Sequence, residues 1–499
     1  MNRQYVGARY VPKFSDLNNG DWSNIYSYEA LTIVKNGYDF YTSKIPVPAG
    51  VDISDTTYWV KTGEYNGAII SLDSRIAALE KIKTVEKRAD IASLTCESGD
   101  VIHALNSYSG DGIDTYWIVS SGTASGYLTI QLSGGLMASL IHDKDIHAHM
   151  VGAFPDGSDC KAAIDEVLST VSSAQIYFNE GTYNFSGRIW LNDYQALIGE
   201  NWKTILYCTQ DPVEDHGEFI GIIKPGETLV KGCRIENLAI SMYVGGGEDV
   251  NAIGIVNAQD IIIDHVKVIR SNWRGFQFEA AGGIFENILV RNCEIHDTDM
   301  NGIGLSHTSG GSIKNVRFEN IRIYNPKSSY GGILIEGIDN DHMKNVVLDD
   351  IYIHTTSDVP RALYLLNAAN VTINNLTVES SATAASYLIQ AQSDNNTMNI
   401  KFNNVHIVAE NTSNSVIGMG LFGGSDYIIN NIRIDKCDLG IRIPTYSSIA
   451  QNVLITNIIG NTLRNPVYVD PATVKGFVTA LLSANAIQSY SPDFKEITA

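Results

Sequence analysis

Asn292-Cys293-Glu294-Ile295, Asn320-Ile321-Arg322-Ile323 and Asp350-Ile351-Tyr352-Ile353 are three instances of one unit in a chain of 499 residues: a small polar residue, an aliphatic or cysteine, any residue, an aliphatic. Six further copies complete the series: Asn237-Leu238-Ala239-Ile240, His265-Val266-Lys267-Val268, Asn375-Leu376-Thr377-Val378, Asn404-Val405-His406-Ile407, Asn431-Ile432-Arg433-Ile434 and Asn457-Ile458-Ile459-Gly460. From Leu238 to Ile458 is 220 residues in eight steps, 27.5 per step, and seven of the nine leading positions are Asn. A period of this length marks a solenoid of stacked units. A second apolar pair recurs between them with period two, as in Phe276/Phe278, Ile303/Leu305, Ile333/Ile335 and Leu363/Leu365, which reads as short strands. Short strands returning every 27 or so residues bury one face only by stacking coil on coil. The expected fold is therefore all-β, a right-handed single-stranded parallel β-helix preceded by small β modules and a short helix. The Asn positions are read as scaffold, because Asn tolerates the left-handed turn conformation and stacked amides hydrogen-bond along the axis.

Composition sets bounds. A hydrophobic content of 44% with 18% charged residues suits a well-packed domain, and no apolar run is long enough for a membrane helix. A net charge of −20 argues against nucleic acid or an anionic membrane as partner, since both require clustered cations. The start, Met1-Asn2-Arg3-Gln4-Tyr5-Val6-Gly7, lacks a basic segment followed by an apolar stretch, so no secretory signal peptide is expected. The six cysteines have no metal-ligand spacing and read as buried thiols.

Five segments are expected: a small aromatic-rich β module (1–66), a helical linker with a short heptad-like run (67–94), a small β-rich domain (95–150), the β-helix with an N-terminal capping helix (151–470), and a C-terminal cap (471–499). The linker helix rests on Ile69, Leu72, Ile76, Leu79, Ile82 and Val85. The capping helix rests on Ala163, Ile164, Val167, Leu168 and Val171.

Two stretches carry a family resemblance. Gly152-Ala153-Phe154-Pro155-Asp156-Gly157-Ser158-Asp159-Cys160-Lys161-Ala162-Ala163-Ile164 resembles the Gly-Ala-x-x-Asp-Gly-x-x-Asp-x-x-Ala-Ile signature that opens the pectate-lyase-like β-helix in phage tailspikes. Gly110-Asp111-Gly112 and Tyr116-Trp117-Ile118-Val119 look like the segment that precedes it. Tyr28 to Ser43 with Tyr58-Trp59-Val60 resembles small chitin-binding modules and their relatives in phage tail proteins, which makes Trp22, Tyr41 and Trp59 accessory carbohydrate-binding candidates. The resemblance implies a virion tail protein, extracellular after host lysis, a homotrimer joined to other tail or baseplate proteins through its N-terminal region, and a bacterial surface polysaccharide as ligand.

Aligning the second strands places Arg274-Gly275-Phe276-Gln277-Phe278-Glu279, Asn301-Gly302-Ile303-Gly304-Leu305-Ser306, Gly331-Gly332-Ile333-Leu334-Ile335-Glu336 and Arg361-Ala362-Leu363-Tyr364-Leu365-Leu366 in register. With the aliphatics inward, the residues between them face out. Polysaccharide hydrolysis requires a carboxyl acid, a carboxylate base or nucleophile, and aromatics and cations to hold sugars. Candidate catalytic residues are Glu279, Asp297, Asp299 and Glu336; candidate substrate-binding residues are Trp273, Arg274, His307, Tyr330, His354 and Arg361. Asp297-Thr298-Asp299 partly resembles the Asn-Thr-Asp motif of polygalacturonases, but no Asp-Asp pair, Gly-His-Gly or Arg-Ile-Lys follows it. The expected activity is a tailspike depolymerase acting by glycoside hydrolysis, with no metal and no cofactor. The alternatives are a polysaccharide lyase on a uronate-containing glycan, which would call on calcium, and a non-catalytic glycan-binding adhesin.

Overall fold

A computed structural model describes residues 12–497 except 38, 65–81, 109, 211–216, 223–228, 244–248, 309, 328–330, 339–341, 357–360, 382–385, 394–396, 411–415, 445–449, 463–464, 470–475, 483–487 and 490–493. The chain divides into two compact units, Met1–Thr84 with Glu97–His103, and Val85–Cys96 with Ala104–Ala499.

In the first unit, strands Lys13–Phe14, Thr32–Asn36, Asp39–Ser43 and Trp59–Glu64 form one sheet in that order. Tyr28, Val34, Val47, Ile53 and Trp59 make its core, with Trp22 and Tyr41 half-buried against them. Trp59 is 2% exposed and meets Tyr28 edge-on at 5.4 Å. It is a core residue in a module too small to spare an indole, so it offers no face to a sugar. The expected linker helix is corrected where it can be seen: Ile82–Lys87 is a β-strand. Ile82-Lys83-Thr84-Val85 is rich in β-branched residues that favour extended backbone, and that preference prevails over a helical spacing of apolar positions. Residues 69–81 of that helix lie outside the described residues.

The second unit carries the solenoid. One parallel sheet has 17 strands, from Asp145–His147 to Phe494–Ile497, and another has 12, from Ile189–Leu191 to Gln488–Ser489. We call them the long and short sheets. Strand pairing in both continues past residue 470, so the expected C-terminal cap holds further coil. Inward residues pair with their counterparts one coil away, as Phe276 with Ile303, Ile303 with Ile333 and Ile333 with Leu363, all fully buried. Burying each such side chain contributes about 1.5–3 kcal/mol.

The Asn series is a scaffold device. All nine leading residues have φ between +50° and +57°, and Asn404 Nδ2 donates to Asn375 Oδ1 at 3.1 Å, Asn431 to Asn404 at 3.1 Å and Asn457 to Asn431 at 2.8 Å. A second ladder stands five residues upstream, at Asp260, Asn287, Asn315, Asn345, Asn370, Asn399, Asp426 and Asn452, every one with positive φ. Asn315 bonds Asn287 and Asn345 bonds Asn315, both at 3.0 Å. Two left-handed residues per coil therefore cut each long strand into short segments, turning the chain while outward hydrogen bonds continue along the axis.

The opening signature has a mechanical explanation. Gly152 and Gly157 have φ of +83° and +92°, Asp159 accepts N–H groups from Lys161 and Ser186, and the helix Lys161–Thr170 buries Ala163, Ile164, Val167 and Leu168. Asn192 and Gln195 of the first coil donate to the Leu168 carbonyl near the end of that helix. Asp111 accepts from the N–H of Ser107, Tyr108 and Ile113 and from His149, whose other ring nitrogen meets Tyr183 Oη at 3.0 Å. All six cysteines are reduced, five of them buried. No described helix is long and apolar enough to cross a membrane.

Candidate functional site

The outer face of the short sheet brings together two of the four candidate carboxylates, Glu279 and Glu336. Glu279 pairs with Ser306 and Ser306 with Glu336, so both Glu side chains leave the same side of the sheet with a serine between them. Strands lie about 4.8 Å apart, which separates the two Glu backbones by about 9.6 Å. Both are half-buried. Burial raises the Glu279 carboxyl above its usual value, against the pull of the Arg274 guanidinium. Burial likewise pushes Arg274 down, opposed by Glu336 and then Glu279, so one cation serves both acids.

Arg274 is held in place. Its Nη1 donates to Gln277 Oε1, and Gln277 Nε2 reaches Ser306 Oγ at 3.4 Å. Gly304 makes room beside them, for a Cβ there would sit 2.5 Å from Gln277 Oε1 and 3.2 Å from Arg274 Cδ. Farther along, the Arg361 guanidinium lies 4.6 Å from the Tyr364 ring centre, and Tyr364 Oη donates to Gln392 Oε1 at 3.0 Å. Trp273 is half-buried in the turn before Arg274, between the backbones of Val250 and Met300.

Other candidates stand elsewhere. Asp297 and Asp299 are exposed on the turn that enters the short sheet, outside the Glu279–Ser306–Glu336 column. Asp299 pairs with Lys327, and Asp297 accepts from Asn325 Nδ2 at 3.4 Å. His307 is 4% exposed and its Nε2 accepts the N–H of Ile338 at 3.0 Å, so it pins a turn and has no surface for a sugar. His354 faces out from the long sheet, 3.4 Å from Glu410, in a column with His296 and Tyr324 rather than with the two Glu residues. Tyr330 lies outside the described residues. Sequence reasoning passed over Trp190 with Arg188, and Arg442 with Tyr468; continuing the register of Gln277 and Tyr364 up and down the sheet would have reached both.

Two surface cavities are elsewhere, one by Phe14 and Phe40 in the first unit and one by Glu166 and Trp190 beside the capping helix. Among the described residues, no three His, Cys, Asp or Glu side chains are grouped to hold a metal ion.

No family model matches the sequence, and no curated protein does. Solved structures do match. Tailspike protein gp49 of the Acinetobacter baumannii bacteriophage Fri1, a capsular polysaccharide depolymerase, aligns over 83% of this chain and 75% of its own with 12% identity and a TM-score of 0.50. The enzymatically active domain of tailspike protein 2 from bacteriophage CBA120 aligns over 85% of this chain and 64% of its own, with 10% identity and a TM-score of 0.53. PfbA, a surface adhesin of Streptococcus pneumoniae, aligns over 71% and 93%, with 13% identity and a TM-score of 0.53. The chain is a right-handed parallel β-helix protein. Its fold is shared by phage tailspikes and by an adhesin, so its activity must be argued from its own residues.

Proposed function

We propose that the chain is a tailspike depolymerase that binds a bacterial surface polysaccharide on the outer face of the short sheet and cleaves it by glycoside hydrolysis. The observation that carries the reading is the Glu279–Ser306–Glu336 column, with one carboxyl raised by burial and Arg274 against both. Glu279 is the acid that protonates the leaving oxygen. Glu336 is the base that activates water, with Ser306 beside the water's path. A backbone separation of about 9.6 Å is just above the roughly 6.5–9.5 Å between carboxyls in inverting enzymes, so side chains leaning toward each other would reach that range and leave room for the water. Arg274, Trp273 and Arg361 hold the sugar. Asp297 and Asp299 line the approach, and Asp299 already has a cation in Lys327. The same reading makes the protein a homotrimer on a virion tail, attached through its N-terminal unit.

The test is incubation with purified host-envelope polysaccharide, followed by reducing-end and mass analysis. Glu279→Gln and Glu336→Gln should keep binding and lose about 10²–10⁴-fold in cleavage rate. Fragments with unsaturated, ultraviolet-absorbing ends would replace hydrolysis with elimination, and calcium dependence would then be measured. Binding without cleavage by the parent protein would make it an adhesin.

A further inference from the structure

The outward column next to the two Glu residues runs unbroken along the short sheet, and four of its positions are spaced evenly. Trp190 is three strands from Gln277, through Gly221 and Gly254. Gln277 is three strands from Tyr364, through Gly304 and Leu334. Tyr364 is three strands from Arg442, through Gln390 and Gly420. At about 4.8 Å per strand the interval is about 14 Å each time.

Every station carries a guanidinium. Arg188 lies 5.8 Å from the centre of the Trp190 ring, Arg274 is bonded to Gln277, Arg361 lies 4.6 Å from the Tyr364 ring, and Arg442 donates to Tyr387 Oη at 3.0 Å and lies 6.0 Å from the Tyr468 ring. The residues between the stations let these side chains lie along the face. A Cβ on Gly221 would be 2.4 Å from the Trp190 ring, and one on Gly420 would be 2.4 Å from that of Tyr387. Neither glycine has a positive φ, so each is there for space and not for its backbone. Among the described residues the carboxylates along these strands are Glu279 and Glu336, with Glu218 beside Gly254, and Asp165 and Glu166 line the cavity next to Trp190. Four guanidiniums at even intervals along one face stand out on a chain of net charge −20.

At the outer stations the half-buried rings of Trp190 and Tyr468 can stack on a sugar, while Tyr364 is 6% exposed and leaves the half-buried Arg361 guanidinium to grip a carboxylate, as Arg274 does beside Gln277. We propose that the short sheet is a track for an acidic polysaccharide, one with a carboxylate in its repeating unit, lying parallel to the helix axis and touching Arg–aromatic or Arg–amide stations about 14 Å apart. Cleavage falls near the second station, where Arg274 adjoins Glu279. The proposal rests on the reading of this face as the glycan site and adds the substrate class, its direction and the outer stations.

The test uses the full chain carrying Glu279→Gln and Glu336→Gln, so that binding is measured without turnover. Alginate and hyaluronate are the acidic probes, and dextran is the neutral control. At least one acidic chain should bind, more weakly as salt rises, with affinity stepping up once oligomers are long enough to reach a second station. Arg188→Gln and Arg442→Gln should each weaken binding about tenfold, as loss of one charged hydrogen-bond site implies. Arg442→Lys should recover part of the loss, and unchanged thermal unfolding must accompany each variant. Equal binding of dextran, no binding of either acidic chain, or full affinity in both Arg variants overturns the track. Those results leave hydrolysis standing if Glu279→Gln alone abolishes cleavage of the host glycan. Conversely, if Glu279→Gln cleaves like the parent while the Arg variants lose binding, the hydrolytic pair falls and the track stands.

Discussion

Gly304→Ala separates the site from the scaffold. Gly304 faces out between Gln277 and Leu334, and its φ is not positive, so alanine meets no backbone strain. The new methyl would lie 2.5 Å from Gln277 Oε1, 3.2 Å from Arg274 Cδ and 3.4 Å from Arg274 Nε. All three atoms belong to side chains that can swing outward. The stability cost is then the low end of overpacking, about 1–2 kcal/mol. The functional cost is larger, because the group displaced is the cation shared by Glu279 and Glu336, and a shift of about 1 Å in a positioned group lowers rate about 10²-fold. Gly440→Ala is the counterpart. Its Cβ would sit 2.2 Å from the Pro466 carbonyl oxygen and 3.0 Å from Pro466 C, which are backbone atoms of the next coil and cannot step aside. It should cost about 3 kcal/mol and leave the folded fraction fully active. Denaturant midpoints and reducing-end release from host polysaccharide read the two quantities separately. If Gly304→Ala keeps parental cleavage, or if both variants lose activity only in proportion to stability, the Arg274–Gln277–Gly304 arrangement has no part in function.

Four further outcomes follow from particular groups. Because burial raises the Glu279 carboxyl, it stays protonated to higher pH than an ordinary Glu: cleavage should fall as pH rises through that raised value, and Arg274→Gln should move the fall to still higher pH; an unmoved limb counts against Glu279 as the acid. The same shift favours the folded state below the ordinary Glu value and is lost as pH rises through the raised one, so Glu279→Gln should gain more stability over the parent at neutral than at acid pH in urea titrations. Asn404→Gly should lose only its two ladder bonds, about 1 kcal/mol, whereas Asn404→Ala adds the left-handed penalty of about 1–2 kcal/mol, and equal losses would refute the role of φ. Alkylation of the native protein should label Cys96 alone, and six thiols after unfolding, since burial pushes Cys233, Cys293 and Cys437 up to about 12.

The fold was legible because its determinants are local and repeated. An Asn at positive φ, followed by alternating aliphatics, fixes both where the chain turns and which side faces in, and the nine copies average out exceptions such as His265 and Asp350. The second ladder was equally present, at a constant offset of five residues, yet Asn287, Asn315 and Asn345 look like ordinary turn residues until the first ladder sets the frame. Isolated segments offered no such averaging. Ile82 and Val85 are three apart and suit a helix, but nothing local reveals that they form a strand.

The site followed the same rule of parity, and the errors lie where parity was not carried through. Phe276 and Phe278 point in, so Gln277 and Glu279 point out, and the structure holds them there. One step more along the next strand, Ile303 and Leu305 point in and therefore so does His307; taking it for a surface residue broke the alternation that had just placed Ser306. His354 obeys parity but belongs to the long sheet, because the inward Ile351 and Ile353 that precede it follow a ladder residue, Asp350, and not a Gly-aliphatic step. Parity names the face, and distance from the ladder names the sheet. Both are needed before a carboxylate can be assigned to a site. Applied together they put Glu279 and Glu336 on one face of the short sheet, whereas Asp297 has φ of +47° and sits in a turn, where alternation no longer fixes direction.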